Sequence, residues 1–379
     1  MSLFLLTIFS IYSAVHVYAF FKVKAAFPFG AGIGILLGIF LAVMTFAPIF
    51  VRILERHGYE FSARLMAYIG YSWMGIIFLF FTLSLLTDLY HLFVNGAGLI
   101  FRKDMGLLTP SARIAFLVPL FLALGLALYG YFAALNIRPE MVTLRSSKIP
   151  EAIGRLRIAQ VSDVHLGIIV REARLRKILR VIRDANPDIL VSTGDLVDGQ
   201  IDSLAGLAEA LQEIHPRYGK YGITGNHEFY AGLPQALEIT RRAGFTVLRN
   251  EAVTVEGIIN IAGVDDPTGK SFGLSGGMPE EELLSLLPRD KFTLLLKHQP
   301  SVRIKSLGLF DLQLSGHTHN GQIFPFRYLV QLFFSHIAGW YDLPKGSHLY
   351  VSRGTGTWGP PIRFLSPPEV TVIDLIHGR

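Results

Sequence analysis

The chain has 379 residues, no cysteine, a formal charge of +6 and a mean hydropathy of +0.43, with 51% hydrophobic and 17% charged residues. The absence of cysteine excludes disulfides, iron–sulfur clusters and thiol nucleophiles, and it is compatible with either redox compartment. The basic residues form no single run, so the positive charge reads as the bias of a membrane protein towards anionic headgroups, not as a nucleic-acid footprint.

An ordinary soluble domain carries about 25% charged residues, and the depletion here is local. Residues 1–137 are apolar and read as a transmembrane region, whereas 138–379 read as a globular domain. Four stretches, 3–21, 29–51, 65–86 and 114–135, each suffice for the roughly 20-residue helix that crosses a bilayer core. No Lys or Arg precedes Leu3, which argues for an uncleaved helix over a signal peptide cut after Ala19. In the second stretch Gly30, Gly34 and Gly38 recur every four residues, a spacing that lets another helix approach closely. Residues 88–110 are mixed and read as partly interfacial. No ionisable residue is expected near a span midplane, where a transporter needs one, so the helices read as an anchor. Four spans put both termini on one side. That side carries Arg52, Arg56, Arg64, Arg138, Arg145 and Lys148, against Lys22, Lys24, Arg102, Lys103 and Arg113 on the other. The positive-inside bias leans by that margin towards a cytoplasmic catalytic domain at the cell membrane.

From Arg138 onward short apolar runs alternate with amphipathic ones. Runs at 156–161, 189–192, 221–223, 292–296 and 312–314 read as buried strands. Residues 171–183 read as a helix with Leu175, Ile178, Leu179 and Ile182 on one face and a solvated basic remainder. Each strand leads into a polar cluster: Asp163-Val164-His165, Gly194-Asp195, Gly225-Asn226-His227-Glu228, His298, and Gly316-His317-Thr318-His319. Open α/β sheets bind ligands at the carboxyl ends of their strands, which would gather the five clusters along one rim. Each cluster alone is weak. Together they offer carboxylate and amide oxygens plus neutral imidazoles, the donors suited to a pair of divalent ions such as Mn, Fe, Zn or Mg. His215, His336, His348 and His377 match no motif.

That ordered set resembles the calcineurin-like metallophosphoesterase superfamily over roughly residues 156–375. The resemblance implies an α/β fold, a β-sandwich flanked by helices in α/β/β/α layers, preceded by the four-helix transmembrane region. It implies that Asp163, His165 and His319 hold one metal and Asn226, His298 and His317 the other, with Asp195 bridging them. Metals about 3.5–4 Å apart can share a water and lower its pKa, giving an in-line nucleophile at neutral pH. In such a site His227 would serve the leaving group as proton donor, oriented by Asp198. Gly199 stands where serine/threonine protein phosphatases carry an arginine. The closely spaced His317 and His319 also depart from the widely separated pair of those enzymes. The segments 350–356 and 360–364 are similar to bacterial phosphodiesterases of the YaeI/YkuE type, and some wider relatives cleave UDP-2,3-diacylglucosamine.

Residues 323–341 are rich in Phe, Tyr and Trp. They read either as a segment buried against the sheet or as a membrane-facing lip for a lipid-linked phosphoester. The expected function is a membrane-anchored dinuclear-metal phosphohydrolase acting on a phosphodiester or pyrophosphate. The alternatives are a catalytically silent membrane scaffold of the same fold and a broad-specificity phosphomonoesterase. A nuclease would need a basic groove with stacking aromatics, and the sequence offers none that is plain. All seven ligand positions and His227 are present, which speaks against silence. The oligomeric state is left open.

Overall fold

The computed structural model describes residues 2–199, 204–274 and 277–378. The chain divides into two compact units, one of Met1–Phe132 with Gly359–Ile362 and the other of Ala133–Trp358 with Arg363–Arg379.

In the first unit four helices are long and apolar enough to cross a membrane. They are α1 (Ser2–Ala26), α2 (Ala31–Arg56), α3 (Glu60–Phe101) and α4 (Ala112–Ala134). Three features refine the sequence reading. First, residues 88–101 of the mixed stretch continue α3 as helix. Asp88 does not end the helix, because Tyr18 Oη donates to it at 2.6 Å and Lys22 pairs with it, both from α1. A charged residue so neutralised tolerates an apolar setting. Second, His16 lies within four residues of the centre of the 3–21 window and is buried. Trp73 Nε1 donates to its Nε2 at 2.9 Å, and its Nδ1 lies 2.8 Å from the Tyr12 carbonyl. With one nitrogen accepting and the other donating, the ring is an uncharged brace between α1 and α3. Third, of the three glycines only Gly34 meets another helix: a Cβ there would lie 3.8 Å from Phe20 Cζ of α1, whereas one at Gly30 or Gly38 would meet no described atom within 4 Å. The closest approach of small residues is instead between α2 and α3, where a Cβ at Gly70 would come within 2.5 Å of Ala47 Cβ.

The second unit contains two six-stranded sheets among the described residues. In chain order the elements are β1 (Arg138–Ser146), β2 (Arg155–Val161), α5 (Glu172–Ala185), β3 (Ile189–Ser192), α6 (Ala205–Gln212), β4 (Lys220–Gly222), α7 (Asn226–Ala231), α8 (Leu233–Arg242), β5 (Thr246–Val247), β6 (Glu251–Val255), β7 (Ile259–Gly263), α9 (Thr268–Ser271), α10 (Glu280–Ser285), β8 (Phe292–Leu296), β9 (Leu312–Ser315), α11 (Arg327–Gln331), β10 (Gly339–Asp342), β11 (His348–Val351) and β12 (Glu369–His377). One sheet runs β1-β12-β2-β3-β4-β5 and the other β10-β11-β9-β8-β7-β6. Within them β2-β3-β4-β5 and β7-β8-β9 are all parallel, so their carboxyl ends share a direction.

Side chains alternate across a strand, and the two inner faces meet. Ile158, Ile189, Val191 and Ile373 of the first sheet pack with Ile261, Leu294, Leu296, Leu312 and Leu314 of the second. Leu295, between two inward leucines, instead packs outward with Leu283 and Leu284 of α10. On the far side of the first sheet α5 buries Leu175, Ile178, Leu179 and Ile182, as its spacing predicts. Its basic remainder is not wholly solvated: Arg174 is buried, and its Nη1 donates to Thr357 Oγ1 at 2.7 Å. Gln160 crosses between the sheets near their carboxyl ends, donating to Thr193 Oγ1 at 2.9 Å and to the Ser315 carbonyl at 3.1 Å.

Candidate metal centre

The strand ends deliver the polar clusters, though not along a single rim. Asp163 and His165 follow β2, Asp195 follows β3 and Asn226 opens the helix after β4, all on one sheet. His298 follows β8, and His317 and His319 follow β9, on the other. The clusters therefore face each other across the mouth of the sandwich. Asp163, His165, Asp195, His317 and His319 all have left-handed backbone, with φ between 49° and 72°. That conformation is uncommon for residues with a side chain and gathers at functional sites. Two glycines make room: a Cβ at Gly225 would stand 2.1 Å from Asp195 Oδ1, and one at Gly316 2.2 Å from Asp163 Oδ2.

The loops are tied to each other as well as to the sheets. His165 N donates to the Asp195 carbonyl at 3.0 Å, His317 N to Asp163 Oδ1 at 2.9 Å and His227 N to Asp195 Oδ1 at 2.8 Å. Glu228, to which the sequence assigned no task, is buried and accepts from Asp195 N at 3.0 Å, Leu196 N at 2.8 Å and Gly225 N at 2.6 Å. It clamps the Asp195 loop onto the start of α7. Burial and the nearby Asp195 push its carboxyl up to about 7.

The seven side chains form two groups that share Asp195. In the first, His165 Nε2 lies 3.2 Å from His319 Nε2 and 3.9 Å from Asp195 Oδ2, and His319 Nε2 lies 3.4 Å from Asp163 Oδ1. In the second, His298 Nε2 lies 3.2 Å from Asp195 Oδ2, 3.1 Å from Asn226 Oδ1 and 3.2 Å from His317 Nδ1, which is itself 2.9 Å from Asn226 Oδ1. These are ligand-type atoms converging on two points.

The arrangement fits divalent cations. His298 Nδ1 donates to the Thr193 carbonyl at 2.8 Å, so in the neutral ring Nε2 is a lone pair facing the Asp195 and Asn226 side-chain oxygens. A cation among them would satisfy that set. Such an outer hydrogen bond is also how proteins orient a ligating imidazole. Burial would lower the His298 pKa, yet Asp195 beside it outweighs that and holds the ring well above its ordinary value, as expected where positive charge is favoured. Burial pushes His165 down to about 4 and His317 down to about 3, which keeps both rings neutral and their lone pairs available. Burial pushes the Asp163 carboxyl up to about 6. His319 is held well below its usual range by burial and by Arg363. The Arg363 guanidinium, wholly buried, donates from Nη2 to His319 Nδ1 at 3.0 Å. That contact leaves His319 Nε2, turned towards Asp163 and His165, as the atom that would ligate a cation.

His227 stands beside these groups. Its Nδ1 is 2.8 Å from Asp198 Oδ1, the pairing that the family resemblance implies. Burial works against its charged form, but Asp195 and Asp198 prevail and raise it to about 9. Its ring is 4.6 Å from that of His165, 5.5 Å from Tyr230 and 6.0 Å from Trp358. Of the unassigned histidines, His348 is engaged by Asp342 at 2.9 Å and His377 by the Ile149 carbonyl at 2.6 Å.

A family model described as calcineurin-like phosphoesterase matches residues 156–321. An uncharacterized metallophosphoesterase of Aquifex aeolicus is 41% identical over 257 residues, covering 68% of this chain and 98% of its own. The chain belongs to the metallophosphoesterases. It is a metal-dependent phosphoric ester hydrolase of the calcineurin-like type. The YkuE metallophosphoesterase of Bacillus subtilis is 34% identical, over 65% of this chain and 90% of its own. A zebrafish (Danio rerio) transmembrane protein with metallophosphoesterase domain is 35% identical, over 66% of this chain and 60% of its own. Among solved structures, the Haemophilus influenzae NAD nucleotidase aligns with a TM-score of 0.36 at 15% identity, over 54% of this chain and 46% of that one. All nine site residues read from the sequence fall within the matched 156–321, whereas Trp358 and Arg363 lie beyond it.

Proposed function

We propose that the chain is a membrane-anchored phosphodiesterase or pyrophosphohydrolase with two divalent cations. Asp163, His165 and His319 would hold one, Asn226, His298 and His317 the other, with Asp195 shared between them. The convergence of these seven side chains into two groups joined at Asp195 carries the reading. Bound there, the cations supply Lewis acidity towards phosphoryl oxygens and lower the pKa of water. The protein's own groups do the rest. Asp198 accepts the Nδ1–H of His227 at 2.8 Å, which leaves Nε2 as the atom that passes a proton to the departing oxygen. The raised pKa, about 9, keeps that proton in place at neutral pH.

A lipid-linked phosphoester, of which UDP-2,3-diacylglucosamine is one candidate, suits the apolar segment after His319. Phe326, Tyr328, Leu329, Leu332 and Phe333 are exposed, and Phe334 sets its ring 5.1 Å from that of His317. Burial against the sheet therefore accounts for Ile323 and Ile337 but not for α11 and the turn after it. The chain's own apolar helices supply a bilayer for such a surface. We place the catalytic unit on the cytoplasmic side, because pairing with Asp88 removes Lys22 from the opposing basic residues and widens the charge bias.

The test is hydrolysis by the metal-loaded chain of bis-p-nitrophenyl phosphate, p-nitrophenyl phosphate and UDP-2,3-diacylglucosamine, with His317→Ala inactive on all. Preference for the monoester would overturn the diesterase reading. Failure on every substrate, with two metals bound, would leave a silent scaffold.

A further inference from the structure

The leaving-group side of the site has two exposed aromatic rings that the hydrolytic reading does not use. Tyr230 and Trp358 each approach the His227 imidazole edge to face, at 5.5 and 6.0 Å with interplanar angles of 74°. Both remain open, Tyr230 by 47% and Trp358 by 54%. The Trp358 backbone, by contrast, is pinned. Its N–H donates to Gln322 Oε1 at 3.0 Å, Gln322 Nε2 donates to its carbonyl at 2.9 Å, and the preceding Thr357 is held by the buried Arg174 at 2.7 Å. Gln322 lies three residues after His319, so the loop that brings a candidate ligand also holds the Trp358 backbone. Tyr230 shares α7 with Asn226 and His227, and stands one helical turn from each. Phe272 extends the apolar surface, 6.0 Å from Tyr230. A half-exposed ring on a pinned backbone beside the proton donor can receive a flat group, because stacking rewards planarity and tolerates any base. An acyl chain has its own surface at α11, which reaches the other end of the site through Phe334 and His317.

We infer that Trp358 and Tyr230 form a subsite for a nucleobase, so that the phosphate presented to His227 is part of a nucleotide. This deepens the phosphohydrolase reading and rests on it. In a pyrophosphate substrate the base sits against the rings, water adds to the distal phosphorus, the bond from that phosphorus to the bridging oxygen breaks, and the departing nucleoside monophosphate takes its proton from His227 Nε2.

The test compares AMP and UMP with ribose 5-phosphate, which keeps the sugar and phosphate and lacks the base. Equilibrium dialysis with the full Mn(II)-loaded chain in detergent should give about tenfold or greater preference for the nucleotides. Trp358→Ala and Tyr230→Ala should each bring that ratio towards one. Trp358→Phe should keep most of it and Trp358→Leu should lose it, which separates stacking from mere apolar contact. Equal binding of nucleotide and ribose 5-phosphate, a ratio that survives both alanine variants, or full rescue by leucine each overturns the subsite. If bis-p-nitrophenyl phosphate is still hydrolysed in those cases, the phosphohydrolase reading stands and only the base subsite falls. A metal-loaded chain that binds none of the three ligands and hydrolyses nothing overturns both.

Discussion

At the scale of single residues, proton control at His227 comes down to one carboxylate. Asp198 fixes which ring nitrogen carries the outward proton, and with Asp195 it keeps the ring charged. Asp198→Asn conserves shape but offers an amide that can face the ring either way, and it removes one of the two charges. We expect kcat on bis-p-nitrophenyl phosphate to fall at least about 10²-fold, the usual worth of a positioned acid. Metal content should be unchanged, because Asp198 lies in neither group of ligand atoms. Loss of both metals in that variant would instead make Asp198 part of the metal centre. This pair was legible in the sequence because its members belong to short motifs. Arg363 was not. It lies 44 residues beyond His319, and its contacts exist only once the chain is folded: Nε and Nη2 donate to the Gly356 carbonyl at 3.0 and 2.7 Å, and Nη1 to the Arg353 carbonyl at 2.6 Å. Burial pushes its pKa down to about 9. Arg363→Met should orphan several buried carbonyls and release His319, costing about 3 kcal/mol or more. A thermal melt would show the destabilisation, and metal analysis should find one tightly held ion where the parent chain holds two. An unchanged metal count would show that His319 needs no support from Arg363.

At the scale of elements, the strands of the catalytic unit were readable because five of them end in a chemical motif, while their division between two sheets was not. Apolar runs such as 189–192 and 292–296 look alike, and only the inward pairing of Ile189 and Val191 with Leu294 and Leu296 assigns them to opposite faces. The continuation of α3 past residue 86 has a related cause: the polarity of Asp88 is local, but its pairing with Lys22 and Tyr18 is supplied by another helix. Lys220 joins elements in the same way. It lies on β4, yet its Nζ donates to the Leu211 carbonyl at 2.9 Å at the end of α6 and to the Ala243 carbonyl at 2.7 Å at the end of α8. It thus satisfies carbonyls that helix ends leave over. Burial lowers its pKa from 10.5 to about 8. The folded state therefore releases this proton before the unfolded state does. Between about pH 8 and 10.5 the unfolded chain binds more protons, and this group's contribution to stability rises with pH. Lys220→Met should lose stability at neutral pH through its unpaired carbonyls and should also lose that rise. Parallel denaturant titrations of parent and variant at pH 7.5 and 9.5 isolate the effect, and identical pH dependence would count against it.

At the scale of the whole chain, four helices long and apolar enough to cross a membrane and a metal-dependent hydrolase occur in one polypeptide, and the proposed lipid-linked substrate would connect the two. An enzyme for small soluble esters gains nothing from leaving Leu332 and Phe333 about four-fifths in water. Exposed apolar patches are tolerated when something covers them in use, and in a chain with four membrane-length helices a lipid surface is the available cover. The composition of residues 323–341 raised burial and membrane contact as alternatives, because hydrophobicity alone cannot distinguish a side chain facing a sheet from one facing outward. The structure buries Ile323 and Ile337 and leaves Phe326 to Phe333 largely exposed. The double variant Leu332→Ser, Phe333→Ser should fold normally, since both side chains are exposed and bury little area on folding. Its kcat/KM for bis-p-nitrophenyl phosphate should match that of the parent, while kcat/KM for UDP-2,3-diacylglucosamine in mixed micelles should drop about tenfold or more, as expected from two apolar side chains worth on the order of 1 kcal/mol each at a lipid surface. The drop should appear mainly in KM, because these residues act on how the substrate is presented and not on the proton held by His227. Equal losses on both substrates would mean that the segment supports the metal loop, through Phe334 and His317, and has no separate dealings with lipid.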